Sequence, residues 1–169
     1  MGPGMWVTAD HHWGHRNIAR LQDRPLDHED LMARLWHERV GTDDHVLHLG
    51  DLLVFPAVED VTRYQALLSS LPGEKRIMLG NHDRRLRTLY RVCGFEVVAG
   101  YRERLHLVMD GRRICFSHRP DNDDGTWDVN VHGHVHSSAI LPPPGRRLIN
   151  ACVEVTGYAP VRLRDLLSA

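Results

Sequence analysis

The stretch Arg76-Ile77-Met78-Leu79-Gly80-Asn81-His82-Asp83 decides how the chain reads. A short, mostly apolar run meets a glycine. Polar side chains of the kind that bind metals or move protons follow at once. The same arrangement recurs along the chain. Met5–Ala9 leads into Asp10-His11-His12, and Val46–Leu49 into Gly50-Asp51. Arg113–Phe116 leads into Ser117-His118, and Val129–Val131 into His132-Gly133-His134-Val135-His136. Short apolar runs bounded by glycine and polar residues are strand signals. In α/β proteins, sites form just past the carboxyl ends of strands. If these five strands lie side by side, their ends gather the polar residues into one cleft.

The segments between them carry helical periodicity. It is clearest over Asp27–Val40, with Leu31, Leu35 and Trp36 on one face and Gly41 as a stop. Val58–Leu71 repeats the pattern through Val61, Tyr64, Leu67 and Leu68, and Arg84–Cys93 is a third candidate. Phe95–Ala99, Tyr101–Met109, Arg147–Val155 and Pro160–Leu163 read as further strands, with a tight turn at Asp110-Gly111. The segments Asp121–Gly125 and 142–145 read as an exposed loop and a turn. Strands and helices alternate in the first half, and the second half is mostly strand.

The whole is 169 residues, enough for one domain with its own core. A second Met at position 5 makes 1–4 read as an expression scar and 5–169 as the domain. Hydrophobic residues at 42% and charged residues at 25% exclude disordered, collagen-like and coiled-coil chains. The net charge of -1 creates no global attraction to nucleic acid. No apolar run is long enough to span a membrane. Cys93, Cys115 and Cys152 are odd in number, form no CxxC pair and sit among apolar residues, so reduced thiols and a cytoplasmic location are expected. Histidine is in excess, with 13.

The residue types at the strand ends set the chemistry. Asp, Asn and His without Cys suit divalent Mn, Fe, Zn or Ni. Six or seven such ligands are too many for one tetrahedral zinc and fit two metals sharing one carboxylate. Paired metals clamp the attacking and leaving oxygens of a phosphoryl displacement. Glycines before Asp51, Asn81 and His134 let the backbone turn and leave room for metal and phosphate.

Asp10-x-His12, Gly50-Asp51, Gly80-Asn81-His82-Asp83, Ser117-His118 and Gly133-His134-x-His136 resemble, in order, the motifs of the calcineurin-like metallophosphoesterases. The opening from Asp10 through His15 and Asn17 is similar to small single-domain bacterial and phage members. The resemblance implies a four-layer α/β/β/α sandwich of two mixed sheets flanked by helices. It implies that Asp10, His12 and His136 bind one metal, that Asn81, His118 and His134 bind the other, and that Asp51 bridges them. His82 would then be the catalytic residue, aiding the leaving oxygen while a metal-activated hydroxide attacks phosphorus. A phosphodiester is the favoured substrate. A nucleotide or phosphomonoester, a nucleic acid, and a non-catalytic metal-site scaffold are the alternatives, and no obligate protein partner is inferred. The family's protein phosphatases continue as Gly-Asp-x-x-Asp-Arg-Gly, whereas this chain has Gly50-Asp51-Leu52-Leu53-Val54-Phe55-Pro56, so protein phosphatase activity is not expected.

The remaining polar residues are assigned more simply. His15 and Asn17 are candidates for substrate binding or for support behind the ligands. Asp83 either caps the following helix, the favoured reading, or holds the loop. His11 points away from the ligands, His48 and His132 support them, and His28, His37, His45 and His106 lie on the surface. Arg84, Arg85 and Arg87 form a solvated helix face or a phosphate-backbone contact. Trp13 and Trp127 pack in the core or stack on a base.

Overall fold

The computed structural model describes residues 4–54, 57–122 and 125–168. Residues 1–3, Phe55-Pro56, 123–124 and Ala169 lie outside the described residues, and with them most of the stretch 1–4 read as a scar. Strand β1 (Met5–Thr8) is followed by α1 (Ile18–Leu21), α2 (His28–Arg39) and β2 (His45–His48). A 3₁₀ turn at Val58–Asp60 runs into α3 (Val61–Ser70) and β3 (Glu74–Met78). A second 3₁₀ turn at Asp83–Arg85 precedes α4 (Arg87–Val92) and β4 (Phe95–Ala99). The second half holds β5 (Leu105–Met109), β6 (Arg112–Ser117), β7 (Val129–His132) and β8 (Arg147–Asn150), then α5 (Val153–Thr156), β9 (Val161–Arg162) and α6 (Leu163–Ser168).

The strands form two mixed sheets flanked by helices, the α/β sandwich that the sequence implied. One sheet has the order β4-β3-β2-β1-β9, parallel except for β9. The other has the order β5-β6-β7-β8, parallel except for β5. Alternation along each strand separates two cores. Trp6, Val46, Ile77 and Phe95 face α2, α3 and α4 and pack with Met32, Trp36, Tyr64, Leu68 and Tyr90. Their neighbours Val7, Leu47, Met78 and Ala99 face the other way and meet Ile114, Phe116, Val129, Val131 and Ile149 of the second sheet. The ends of β1, β2, β3, β6 and β7 therefore emerge together along one edge.

Several elements differ from their sequence-based expectation. On α2 the fully buried positions are Met32 and Trp36, while Leu31 and Leu35 are half-buried. The helices over 58–71 and 84–93 each begin as a 3₁₀ turn. The strand expected over Tyr101–Met109 starts only at Leu105. The strand expected over Arg147–Val155 stops at Asn150, and Val153–Thr156 is a helical turn. Val153 and Val155 favour a strand by propensity. Gly157, at φ +70°, ends the turn in the left-handed conformation. The strand at Pro160–Leu163 shrinks to Val161–Arg162, and α6 follows it.

Two surface or loop expectations also change. His28 is buried, with Nδ1 3.0 Å from the Pro25 carbonyl. Asp121 is buried and accepts from Trp127 Nε1 at 3.0 Å. Trp13 and Trp127 are both fully buried and pack in the core, the favoured of their two readings. Among the described residues, no helix is long and apolar enough to cross a membrane.

Leu68 is fully buried where α3 meets the first sheet. Leu68→Ala should cost about 2–5 kcal/mol of unfolding free energy, read from a urea transition. A cost below about 0.5 kcal/mol would contradict this packing.

Candidate metal centre

The strand ends turn sharply, and they do so on the polar residues. Among the described residues, Asp10 (φ 60°), His12 (φ 52°), Asp51 (φ 55°), His134 (φ 72°) and His136 (φ 51°) all lie in the left-handed region. That region is disfavoured for residues with a Cβ, and such strain collects at functional sites. Here the loops hold one another in place. Asp10 N donates to the Gly50 carbonyl, His12 N to the Asp51 carbonyl and Gly133 N to the His118 carbonyl, each at 3.0 Å. Two glycines permit the close approach. A Cβ on Gly80 would sit 2.0 Å from Asp51 Oδ1, and one on Gly133 would sit 2.4 Å from Asp10 Oδ2.

Three overlapping groups of ligand atoms result. Asp10, His12 and His136 form the first, Asp51, His118 and His134 the second, and His12, Asp51 and His82 lie between them, the atoms of each group lying within 4.8 Å of one another. Asp51 also faces the first group. Its Oδ2 lies 3.7 Å from His12 Nε2 and 3.4 Å from His118 Nε2. Asn81 stands on the second side, with Oδ1 3.1 Å from His118 Nε2. The structure thus brings together all seven residues that the sequence singled out as ligands. His11 is fully buried and turned toward His48 instead, its Nδ1 2.9 Å from His48 Nε2.

The unmet hydrogen-bonding capacity points to cations. Each carboxylate spends one oxygen on backbone: Asp10 Oδ2 accepts from His134 N at 2.7 Å, and Asp51 Oδ1 from His82 N at 2.9 Å. The other oxygen of each faces the centre. Asp10 Oδ1 and both ring nitrogens of His12 are buried without a hydrogen-bond partner. Polar atoms buried in this way are costly unless something satisfies them. His118 Nδ1 and His136 Nδ1 donate outward, to the Leu49 carbonyl at 2.9 Å and to Glu154 Oε1 at 2.8 Å. That leaves each Nε2 lone pair free for a ligand bond. A set of inward oxygens and imidazole nitrogens fits divalent metals.

The protonation states of Asp10, Asp51 and His134 agree with that fit, while His118 is shifted the other way. Burial would raise the Asp10 carboxyl, but the His12 and His118 imidazoles and the His134 amide hold it well below the usual range. Asp51 is likewise lowered, against its burial, chiefly by His118. Burial, then His118 and Arg119, bring His134 down to about 4. His118 is raised by Asp51 and Asp10, against its burial. Carboxylates held ionised beside a neutral imidazole are the forms that bind metals.

Asp83 does not cap a helix. Leu86 precedes α4, and no side-chain cap bond forms there. Asp83 is fully buried and clamps the ligand loops from behind. Its Oδ2 accepts from Asp51 N at 2.5 Å and from Gly80 N at 2.8 Å, and its Oδ1 accepts from the Tyr90 hydroxyl. Burial and the nearby Asp51 charge push its carboxyl up to about 6. The loop amides outcompeted the helix because they had no other partner once buried. His48, as expected, supports a ligand loop: Gly50 N donates to its Nδ1 at 3.1 Å.

Comparison with known proteins places the chain among phage and prokaryotic relatives. No family model matches it. It is 34% identical to the Gene 66 protein of Mycobacterium phage D29, over 80% of each chain. The chain belongs to the Gene 66 protein family. It is also 29% identical to an uncharacterized protein of Methanocaldococcus jannaschii, over 96% of this chain and 88% of that one. A solved structure of a protein of unknown function from Aquifex aeolicus superposes with a TM-score of 0.80, at 26% identity over 99% of both chains. The sandwich is therefore a shared architecture.

Two site residues escaped the sequence reading. Arg24 is buried, and it donates from Nη1 to the His11 carbonyl and from Nη2 to the Asp10 carbonyl, both at 2.7 Å. Glu154, on α5, accepts from Arg24 Nε at 2.9 Å and from His136 Nδ1. One ion pair therefore ties the first ligand loop to the last ligand. His15 lies at the rim, its ring edge-on to His12 at 6.0 Å, and Asn17 is exposed beyond it. Asn17 precedes α1 without a side-chain cap bond.

Gly133→Ala should displace the Asp10 carboxylate and weaken metal retention about 10–100-fold, read by metal analysis after dialysis. Retention equal to wild type would contradict the close approach. Glu154→Ala would leave the Arg24 guanidinium buried without its carboxylate. We expect it to cost about 3–5 kcal/mol in a denaturant titration, and a neutral result would refute the tie.

Proposed function

We propose that this chain is a binuclear metal-dependent phosphoesterase of the calcineurin-like kind, with phosphodiesters as its favoured substrates. The position of Asp51 Oδ2 carries the reading, because it faces His12 of one ligand group and His118 of the other. Asp10, His12 and His136 would hold one divalent ion, and Asn81, His118 and His134 the second, with Asp51 serving both. Bound there, such ions supply Lewis acidity and lower the pKa of a water that serves as nucleophile. Without cations, the ionised Asp10 and Asp51 would repel a phosphate ester.

The chain's own residues do the rest. Hydrolysis adds OH to phosphorus and H to the leaving oxygen as the P–O bond breaks. His82 would give that proton. Its ring is 42% exposed, faces the open side of the centre and makes no hydrogen bond among the described residues. Its Nε2 lies 4.0 Å from Asp51 Oδ2, and its ring meets His12 edge-on at 5.2 Å. The amide of His82 is fixed on Asp51 Oδ1. The acid therefore moves with the carboxylate that both ligand groups share. A cavity of about 750 Å³, lined by Asn81, His82, Arg84 and Arg85, opens beside it. It has room for a diester with substituents on both sides. The three cysteines are free and buried, which suits a reducing, cytoplasmic setting.

A panel of chromogenic diesters and monoesters, assayed with Mn, Ni, Zn and Mg, tests this reading. Turnover should require metal and favour the diester. His82→Ala should lower it about 10²–10⁴-fold while leaving metal content unchanged. No turnover with any of the four metals would overturn the proposal.

A further inference from the structure

Arginines are unevenly used in this chain. Several of those away from the centre pair with a carboxylate: Arg34 with Glu38, Arg63 with Glu29, Arg76 with Glu96 and Arg113 with Asp128. Beside the centre lies a group without such pairs. Arg84, Arg85, Arg87, Arg102 and Arg119 are exposed, and none has a carboxylate partner among the described residues. They are also contiguous. Arg84 and Arg85 line the cavity that holds Asn81 and His82. Arg84 also lines the next cavity, of about 540 Å³, together with Arg87, Tyr101 and Arg102. A positive track thus leaves the centre on one side, although the net charge of the whole chain is only -1.

An aromatic ring stands within this track. Tyr101 is half-buried, and its ring centroid lies 5.9 Å from that of His118. The guanidinium of Arg119 lies over the ring at 5.5 Å, and that of Arg102 at 6.0 Å, so a base reaches the ring face only when one of these exposed side chains swings onto a phosphate. Arginines spaced along a groove and an aromatic face among them are the two parts of a single-strand nucleic-acid surface. The cations meet successive phosphates, and the ring stacks a base whatever its identity. A duplex would keep its base faces stacked on one another and leave Tyr101 unused.

We propose that the phosphodiester taken by this centre belongs to a single-stranded nucleic acid, whose backbone follows Arg84, Arg85, Arg87 and Arg102 while a base next to the scissile phosphate stacks on Tyr101. This rests on the phosphoesterase reading for its chemistry, but the binding surface can be tested without it.

The test is fluorescence anisotropy with a fluorescein-labelled dT12 strand and with the same length of duplex. It is run on the purified protein, with and without EDTA, across a series of NaCl concentrations. The single strand should bind more tightly than the duplex. The slope of log K against log salt should be about -0.7 for each arginine contact, so the pair Arg84→Ala and Arg87→Ala should flatten it by about 1.4. Tyr101→Ala should weaken binding roughly 5- to 150-fold, and Tyr101→Trp should restore it. Melting curves for each variant establish that it folds.

Strand binding that is absent or insensitive to salt overturns the proposal. So does binding untouched by both Tyr101→Ala and the arginine pair, or a duplex bound as tightly as the strand. Chromogenic diester turnover by the wild-type protein reports on the esterase reading alone. Turnover without strand binding removes this surface. Strand binding without turnover removes the esterase and keeps the surface.

Discussion

Two ionised carboxylates are brought to the same buried place, and that constraint governs the rest of the structure. Asp10 is fully buried, and Asp51 is 1% exposed. Each has one oxygen pinned by a backbone amide and the other turned toward the imidazoles of His12, His118 and their neighbours. Two like charges so placed are unfavourable by themselves. They are tolerable only with compensating positive charge, and the surrounding donors have little of it to give once they act as neutral ligands. The arrangement therefore suits cations.

The sandwich meets the geometric side of that demand. Strands of both sheets end along one edge, and each ligand loop hydrogen-bonds to a loop from another strand. Left-handed backbone at five ligand positions aims the side chains inward, and the strain is held by neighbouring structure. Asp83 clamps the second and third loops from below through the amides of Asp51 and Gly80. Arg24 and Glu154 clamp the first and last from the side. A shift at the Asp83 clamp would bear on both groups, because Asp51 faces both.

Much of this was legible in the sequence because ligand loops have strict spacing. Asp10-x-His12 and Gly133-His134-x-His136 state which residues converge, and the preceding apolar runs state what carries them. Strand and helix order followed from the same alternation. His48 was legible as a support, but Glu154 and Arg24 were not. Glu154 sits alone in a four-residue helix, 130 positions from the arginine it pairs with, and no local pattern links the two. Asp83 before a helical segment carries a cap signal, and only burial of the neighbouring amides shows that it serves them instead. Short β-branched segments such as Val153–Thr156 were misread because propensity outweighed a single turn closed by glycine. Tyr101 stands beside His118 only in three dimensions, which no local pattern shows.

The central claim is that one carboxylate serves two metal ions at this strand-end edge. Anomalous diffraction from crystals grown with Mn²⁺ tests it most directly. The account predicts two peaks per chain, one touching Asp10, His12 and His136, the other touching Asn81, His118 and His134, and both touching Asp51. A single peak, no peak, or peaks away from Asp51 would contradict it.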